Sequence, residues 1–106
     1  MVIVIIKLNA MPEKCLEFKQ SLLALIEPIR IEKGCLSLEI LQDIANDNGF
    51  SLIQMWQTRD DLDDYVRSDL FTVLIGTRYL LSRPAKISAN EVTHASEWED
   101  AEAVRG

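Results

Sequence analysis

Two short segments of this 106-residue chain are apolar on both faces. In residues 2–8 the even positions are all aliphatic, and Ile3 and Ile5 make the alternate positions aliphatic as well. In residues 50–57 both faces also carry apolar residues, which are Phe50, Leu52 and Trp56 on one face and Ile53 and Met55 on the other. Successive side chains of a strand point to opposite faces, so both segments predict strands that are buried on both sides. A sheet built on them needs a cover for each face.

The rest of the chain predicts two helical regions and two further strands. Apolar residues recur at helical spacing over about residues 12–32, and Gly34 is a natural helix end. A second helix is expected after Thr58, with a bend and a new cap at Ser68 and an end near Leu81. Residues 36–40 alternate as a strand, residues 43–49 predict a turn, and residues 85–93 predict a weak fourth strand.

This order, β-α-β-β-α-β, predicts an α+β fold of the ferredoxin-like type, with an antiparallel sheet and both helices on one face. The helices cover one face only, and the other face would expose a larger apolar patch than a soluble monomer usually carries. We therefore expect a homodimer with the two sheets packed face to face. We expect one domain over residues 1–94 and an acidic tail over residues 95–106, in which Trp98 is a candidate contact with the partner.

Composition and net charge limit the partners and the cellular compartment that we expect for this protein. The formal net charge is −6, which argues against nucleic acid and anionic membranes as partners, because both need clustered Lys and Arg. Residues 1–8 resemble neither a signal peptide nor a membrane span. Cys15 and Cys35 form no CxxC pair and are typical of reduced cytoplasmic thiols. His94 is the only histidine, and the aspartates of residues 60–64 suit the start of a helix, so we expect no metal site.

Three stretches together resemble the antibiotic biosynthesis monooxygenase domains, which are dimeric α+β barrels. They are the proline-led first helix, EKGCLSLEILQD at residues 32–43, and LIQMWQTRDDLDDYVRSDLF at residues 52–71. The resemblance extends over about residues 2–92. The family includes cofactor-free quinol monooxygenases, haem-degrading oxygenases and an isomerase. The resemblance therefore implies an oxidoreductase that acts on a small molecule.

Two departures from the family pattern bear on mechanism. A histidine often stands nine residues after the tryptophan of the third strand, and here that position is Tyr65. The haem-ligating histidine of the haem-degrading members would fall at Ile75, and their strand-1 asparagine near Ile5. Isoleucine neither ligates iron nor donates a hydrogen bond, so we expect no haem and, more generally, no cofactor.

The candidate site lies where the third strand meets the second helix. Trp56 is expected to form an aromatic wall, and the Tyr65 hydroxyl to hydrogen-bond a substrate oxygen as the second catalytic group. Gln54 shares a face with Leu52 and Trp56, and we expect Gln54, Leu52 and Phe71 to contact substrate. The alternative is that Trp56 and Tyr65 only fill the core, and that Gln54 only satisfies neighbouring polar groups.

The predicted function is a cofactor-independent monooxygenase that oxidises a small hydroxyaromatic compound of the quinol or polyphenol kind with O₂. In this mechanism, which the resemblance implies, the ionised substrate reduces O₂ directly, and the protein orients it and stabilises the phenolate. Two alternatives stay open. One is a dimeric module that binds a small ligand without turnover, and the other is an isomerase of a small carbonyl compound.

Overall fold

The computed structural model describes residues 1–93, and the elements follow the predicted order. The strands are β1 (Val2–Asn9), β2 (Cys35–Asp43), β3 (Asn46–Trp56) and β4 (Lys86–Glu91), and the helices are α1 (Cys15–Arg30), α2 (Arg59–Val66) and α3 (Asp69–Gly76). Short 3₁₀ turns at Pro12–Lys14 and Thr77–Leu80 precede α1 and follow α3. The strands form a four-stranded antiparallel sheet in the order β2-β3-β1-β4, so the ferredoxin-like α+β prediction is confirmed.

The core lies between the sheet and the helices. Alternate residues of β1 and β3 point into it, and Phe18, Leu22 and Ile29 of α1 pack onto them. On β1 and β3 the buried side chains are those of Val2, Val4, Ile6, Leu8, Phe50, Leu52, Gln54 and Trp56. The even positions of β1 therefore face the helices, and an aspartate at Val4 or Ile6 would disrupt this core.

The opposite face of the sheet carries no helix among residues 1–93. Ile3 and Met55 are partners across the β1–β3 pair, and so are Ile5 and Ile53. All four side chains lie on this face and are half-buried. The prediction that β1 and β3 are buried on both faces is thus met on the helix side only, because a single chain supplies one helical layer. We call this surface the open face.

Three element boundaries differ from the sequence prediction. The turn predicted over residues 43–49 shrinks to Ile44 and Ala45, since β2 and β3 continue on either side of it. The Asp43 carboxylate accepts a hydrogen bond from the Ala45 N–H, which closes this tight turn. The helix predicted to reach Leu81 ends at Gly76 and continues as a 3₁₀ turn, and β4 is shorter than residues 85–93. His94 and the predicted tail, including Trp98, lie outside the described residues.

The junction between β3 and α2 follows the predicted caps. Thr58 Oγ1 accepts a hydrogen bond from the Asp61 N–H, and Ser68 Oγ accepts one from the Phe71 N–H, so each helix starts with a side-chain cap. Gly34 has φ of +83°, and a Cβ at this position would overlap the Asp61 side chain. Its carbonyl accepts a 2.8 Å hydrogen bond from the Gln57 N–H, which holds the start of β2 against the end of β3.

Membrane insertion through a helix has no support in residues 1–93, where every helix is too short or too polar to cross a bilayer.

Candidate functional site

A cavity of about 550 Å³ opens on the helix side of the sheet, between β1, β4 and α3. This volume falls in the usual range for small-molecule sites. Apolar side chains make most of its wall: Ile6, Leu8, Phe71, Leu74, Ile75, Leu81, Pro84, Ala85 and Ile87. The cavity therefore suits a ligand with an apolar body.

The polar members of the wall are Thr77, Arg78, Ser82 and Arg83. Thr77 is buried, and its hydroxyl donates a 2.7 Å hydrogen bond to the Leu74 carbonyl. The Ser82 hydroxyl donates a 3.2 Å hydrogen bond to the Asn9 carbonyl. Both hydroxyl hydrogens are thus used in hydrogen bonds to the backbone, and the two arginines are the charged side chains of the wall.

Trp56, Gln54 and Tyr65 form one hydrogen-bonded stack in the core. The Trp56 indole Nε1 donates to Gln54 Oε1 at 3.1 Å, and Gln54 Nε2 donates to the Tyr65 hydroxyl at 3.4 Å. The two aromatic rings are stacked, with centroids 4.6 Å apart and planes 25° from parallel. The exposed fractions are 0% for Trp56 and Gln54 and 2% for Tyr65. The structure thus brings these three sequence-predicted residues together away from solvent.

The orientation of the Gln54 amide follows from its neighbours. An indole N–H can only donate, so Gln54 presents its oxygen to Trp56 and its nitrogen to Tyr65. The Tyr65 hydroxyl is therefore an acceptor in this bond. Burial raises the pKa of Tyr65 to about 12, although the Gln54 hydrogen bond acts in the opposite direction. The phenol is thus neutral near pH 7 and can serve there as a hydrogen-bonding group, not as a base.

The stack lies beside the cavity and is joined to it by Phe71. The Tyr65 and Phe71 rings meet edge to face, with centroids 5.3 Å apart, and Phe71 lies in the cavity wall. Of the five residues expected at the site, Phe71 is the one that lines the cavity. Leu52 is 1% exposed and packs in the same core layer as the stack.

The two isoleucines at the haem-related positions lie on opposite sides of the sheet. Ile75 lines the cavity, whereas Ile5 lies on the open face, with Ile53 as its strand partner. Two of the four aspartates of α2 form surface ion pairs, Asp63 with Arg59 and Asp64 with Arg67. Within residues 1–93 no three His, Cys, Asp or Glu side chains converge in a way that could hold a metal ion.

Sequence reasoning missed most of the cavity. Most of its wall comes from α3, from the 3₁₀ turn after it and from residues 81–85, which the sequence predicted only as the last part of the second helical region and a connection. The available signal was the stretch GTRYLLSRPA at residues 76–85, which combines Arg78 and Arg83 with aliphatic residues before a proline. Nothing local in that stretch reveals that it folds back onto β1.

Comparison with known proteins agrees with this fold and assigns the family. Residues 1–75 match the family model described as antibiotic biosynthesis monooxygenase. An uncharacterized protein of Synechocystis is 32% identical over 82 residues, which are 76% of this chain and 56% of that protein. The chain thus spans about half the length of this curated relative.

Solved structures with the same fold come from several organisms. A candidate antibiotic biosynthesis monooxygenase from Deinococcus radiodurans superposes with a TM-score of 0.85 at 22% identity, over 94% of this chain and 100% of the other. A conserved protein from Methanosarcina mazei gives 0.79 at 27% identity, over 84% and 89%. A Mycobacterium tuberculosis protein gives 0.82 at 23% identity, over 91% and 98%. Since the family model matches well over half of the sequence, the chain belongs to the antibiotic biosynthesis monooxygenase family.

Proposed function

We propose that this protein is a homodimeric, cofactor-independent monooxygenase that oxidises a small hydroxyaromatic compound with O₂. The observation that carries the proposal is the apolar cavity of about 550 Å³ in a chain of this family. A planar hydroxyaromatic ring is a ligand that fits such a wall, where Phe71 supplies an aromatic surface.

The reaction balances without an added electron donor. Hydroquinone and O₂ give hydroxyquinone and water: one oxygen atom enters the ring and the other leaves as water. The four electrons come from the substrate, two from oxidation of the quinol and two from the new carbon–oxygen bond. The protein's contribution in this proposal is to hold the ring in a water-poor cavity and to stabilise its ionised oxygen, so that the electron-rich anion meets O₂.

Trp56 and Tyr65, the catalytic pair expected from the sequence, have a positioning role in this proposal. Their stack contacts Phe71 through the Tyr65 ring, so it fixes one wall of the cavity. Gln54 holds the two aromatic side chains in register through its two hydrogen bonds. Direct contact of the Tyr65 hydroxyl with substrate is the competing prediction, and a Tyr65→Phe variant separates the two.

The open face supports the homodimer. Ile3, Ile5, Ile53 and Met55 form a contiguous half-buried apolar surface across the paired strands β1 and β3. A stable dimer usually buries more than about 1,000 Å² in total, and packing one open face on another would remove this surface from water. Ile53→Asp is expected to yield folded monomers in sedimentation at micromolar concentration, because its side chain points away from the helix-side core. A wild-type protein that sediments as a monomer would contradict the dimer.

We also propose a cytoplasmic location. Cys15 and Cys35 are both free thiols in the structure, a state that a reducing compartment preserves.

A variant that fills the cavity and leaves the core unchanged tests the activity. Ile75 lines the cavity and is 44% exposed, so Ile75→Trp places a large ring in the cavity at little cost to the fold. We expect O₂ uptake with substituted hydroquinones in an oxygen electrode for the wild type. The variant is expected to lose about tenfold or more of that rate, which corresponds to about 1.4 kcal/mol in the barrier.

Val73→Trp is the matched control. Val73 lies on the same helix, is 57% exposed and does not line the cavity, so the same substitution there should leave O₂ uptake unchanged. Equal rates of O₂ uptake for the two variants would show that the reaction does not take place in the cavity. Saturable binding of a hydroquinone to the wild type without O₂ uptake would favour the non-catalytic binding module.

A further inference from the structure

We propose that the cavity selects ligands that carry a carboxylate beside their apolar body, and that Arg78 and Arg83 are the residues that bind this carboxylate. This inference rests on the proposed function for the location of the site and adds the class of substrate that enters it. Both arginines lie in the cavity wall, where every other side chain is apolar or is a hydroxyl that already donates to the backbone.

The charge of the cavity is opposite to that of the protein. The whole chain has a formal net charge of −6, yet the wall contains two arginines and no aspartate or glutamate. The ion pairs within residues 1–93 involve Lys14, Arg30, Arg59 and Arg67, and neither Arg78 nor Arg83 takes part in one. Two guanidinium groups beside an apolar wall form a site for an anion with an apolar body.

The backbone that carries the two arginines is anchored to the end of β1. Leu81 pairs with Ala10 in an isolated bridge, and Met11 N–H donates a 2.9 Å hydrogen bond to the Leu80 carbonyl. Ser82 N–H donates a second 2.9 Å bond to the Asn9 carbonyl. These bonds lie between the positions of Arg78 and Arg83 in the chain. The backbone between the two arginines is thus held in place before a ligand binds, which reduces the conformational freedom lost on binding.

Among the anionic groups that small aromatic compounds carry, a carboxylate fits this arrangement. Guanidinium groups match carboxylates through paired N–H donors, and carboxylates are ionised at neutral pH, whereas simple phenols are not. Arg83 also borders a second, polar cavity together with Lys7 and Asp43. Arg78 borders the apolar cavity and not the polar one. We therefore expect Arg78 to contribute more of the selectivity than Arg83.

The experiment compares two probes of the same shape and different charge, 2-naphthoate and 2-naphthamide. Isothermal titration calorimetry on the full chain at pH 7 measures Kd for each probe. For the wild type we expect naphthoate to bind at least about tenfold more tightly than naphthamide, and its Kd to rise with added salt. Arg78→Gln should weaken naphthoate binding and leave naphthamide binding unchanged, and the double variant with Arg83→Gln should remove the preference.

Arg67→Gln is the matched control, since it changes the net charge equally but lies outside the cavity, just after α2, where it pairs with Asp64. It should retain the preference for naphthoate. Equal Kd values of the two probes in the wild type, including no measurable binding of either, would overturn the inference, and so would a preference that survives in the double variant. Because these titrations involve no turnover, naphthoate selectivity without O₂ uptake would contradict only the proposed activity. O₂ uptake with neutral hydroquinones and no charge preference would contradict only this inference.

Discussion

Replacing Gln54 by leucine is expected to destabilise the fold more than replacing Tyr65 by phenylalanine. Leucine is close to glutamine in size and would fill the same space, but it neither accepts from Trp56 Nε1 nor donates to the Tyr65 hydroxyl. Both of these groups are buried, at 0% and 2% exposure of their residues, so water cannot replace the lost partner.

The magnitude follows from the number of polar groups left without a partner. A buried polar group that loses its partner costs about 1–3 kcal/mol, and Gln54→Leu leaves two such groups. Burial of the added apolar surface offsets part of that cost, so we expect a loss of about 2–4 kcal/mol in the free energy of unfolding. Tyr65→Phe breaks one long hydrogen bond and leaves one buried group, Gln54 Nε2, without its partner, so it should cost about 1–2 kcal/mol.

The double variant Gln54→Leu/Tyr65→Phe tests whether the two residues stabilise the fold through their shared hydrogen bond. With phenylalanine at position 65, the leucine at position 54 no longer strands a hydroxyl, so the two effects should not add. We expect the sum of the single effects to exceed the double effect by about 1 kcal/mol or more, within the usual range for groups in direct contact.

Urea unfolding at one fixed protein concentration measures these differences, since a dimer's apparent stability depends on concentration. Gln57→Leu is the control: Gln57 is exposed just after β3, and its change should stay within about 0.5 kcal/mol. A loss below about 1 kcal/mol for Gln54→Leu, or strict additivity in the double variant, would refute the assigned role of the Gln54 amide.

Two further predictions concern Tyr65. Because burial raises its pKa from 10.0 to about 12, the unfolded chain releases this proton before the folded one, so stability is fully present below pH 10 and falls as pH rises from 10 to 12. The loss is about 2–3 kcal/mol. Tyr65→Phe should flatten the curve of unfolding free energy against pH in this window, leaving the contributions of Cys35 and of the exposed Tyr79, whose pKa values are also raised. The positioning role also predicts that Tyr65→Phe keeps O₂ uptake within about threefold of the wild type, whereas a loss of about tenfold or more at nearly unchanged stability would assign the hydroxyl to the substrate.

The sequence by itself determined the order of elements and the two helix caps. Alternation in β1 and β3, helical spacing in α1, and the hydroxyls of Thr58 and Ser68 are local signals, since each depends on residues a few positions apart. The closeness of Gln54 and Trp56 was also accessible, because residues two apart on a strand share a face. That Tyr65 would lie near Trp56 was expected from its place one turn into α2, whereas the stacking of the two rings came from the structure.

Only the tertiary structure decided which residues surround the cavity. Trp56 and Tyr65 carry the strongest aromatic signal in the sequence, yet they bond to each other through Gln54 and do not line the cavity, whose wall Tyr65 contacts at Phe71. Arg78 and Arg83 come next to Ile6 and Leu8 because residues 80–82 bond to the end of β1, more than 65 positions earlier in the chain. Such a contact leaves no local pattern, since any segment with free backbone donors and acceptors can make it. The physical reason for the difference is range: periodicity and capping act over a few residues, whereas a cavity is a space between elements that are distant in sequence.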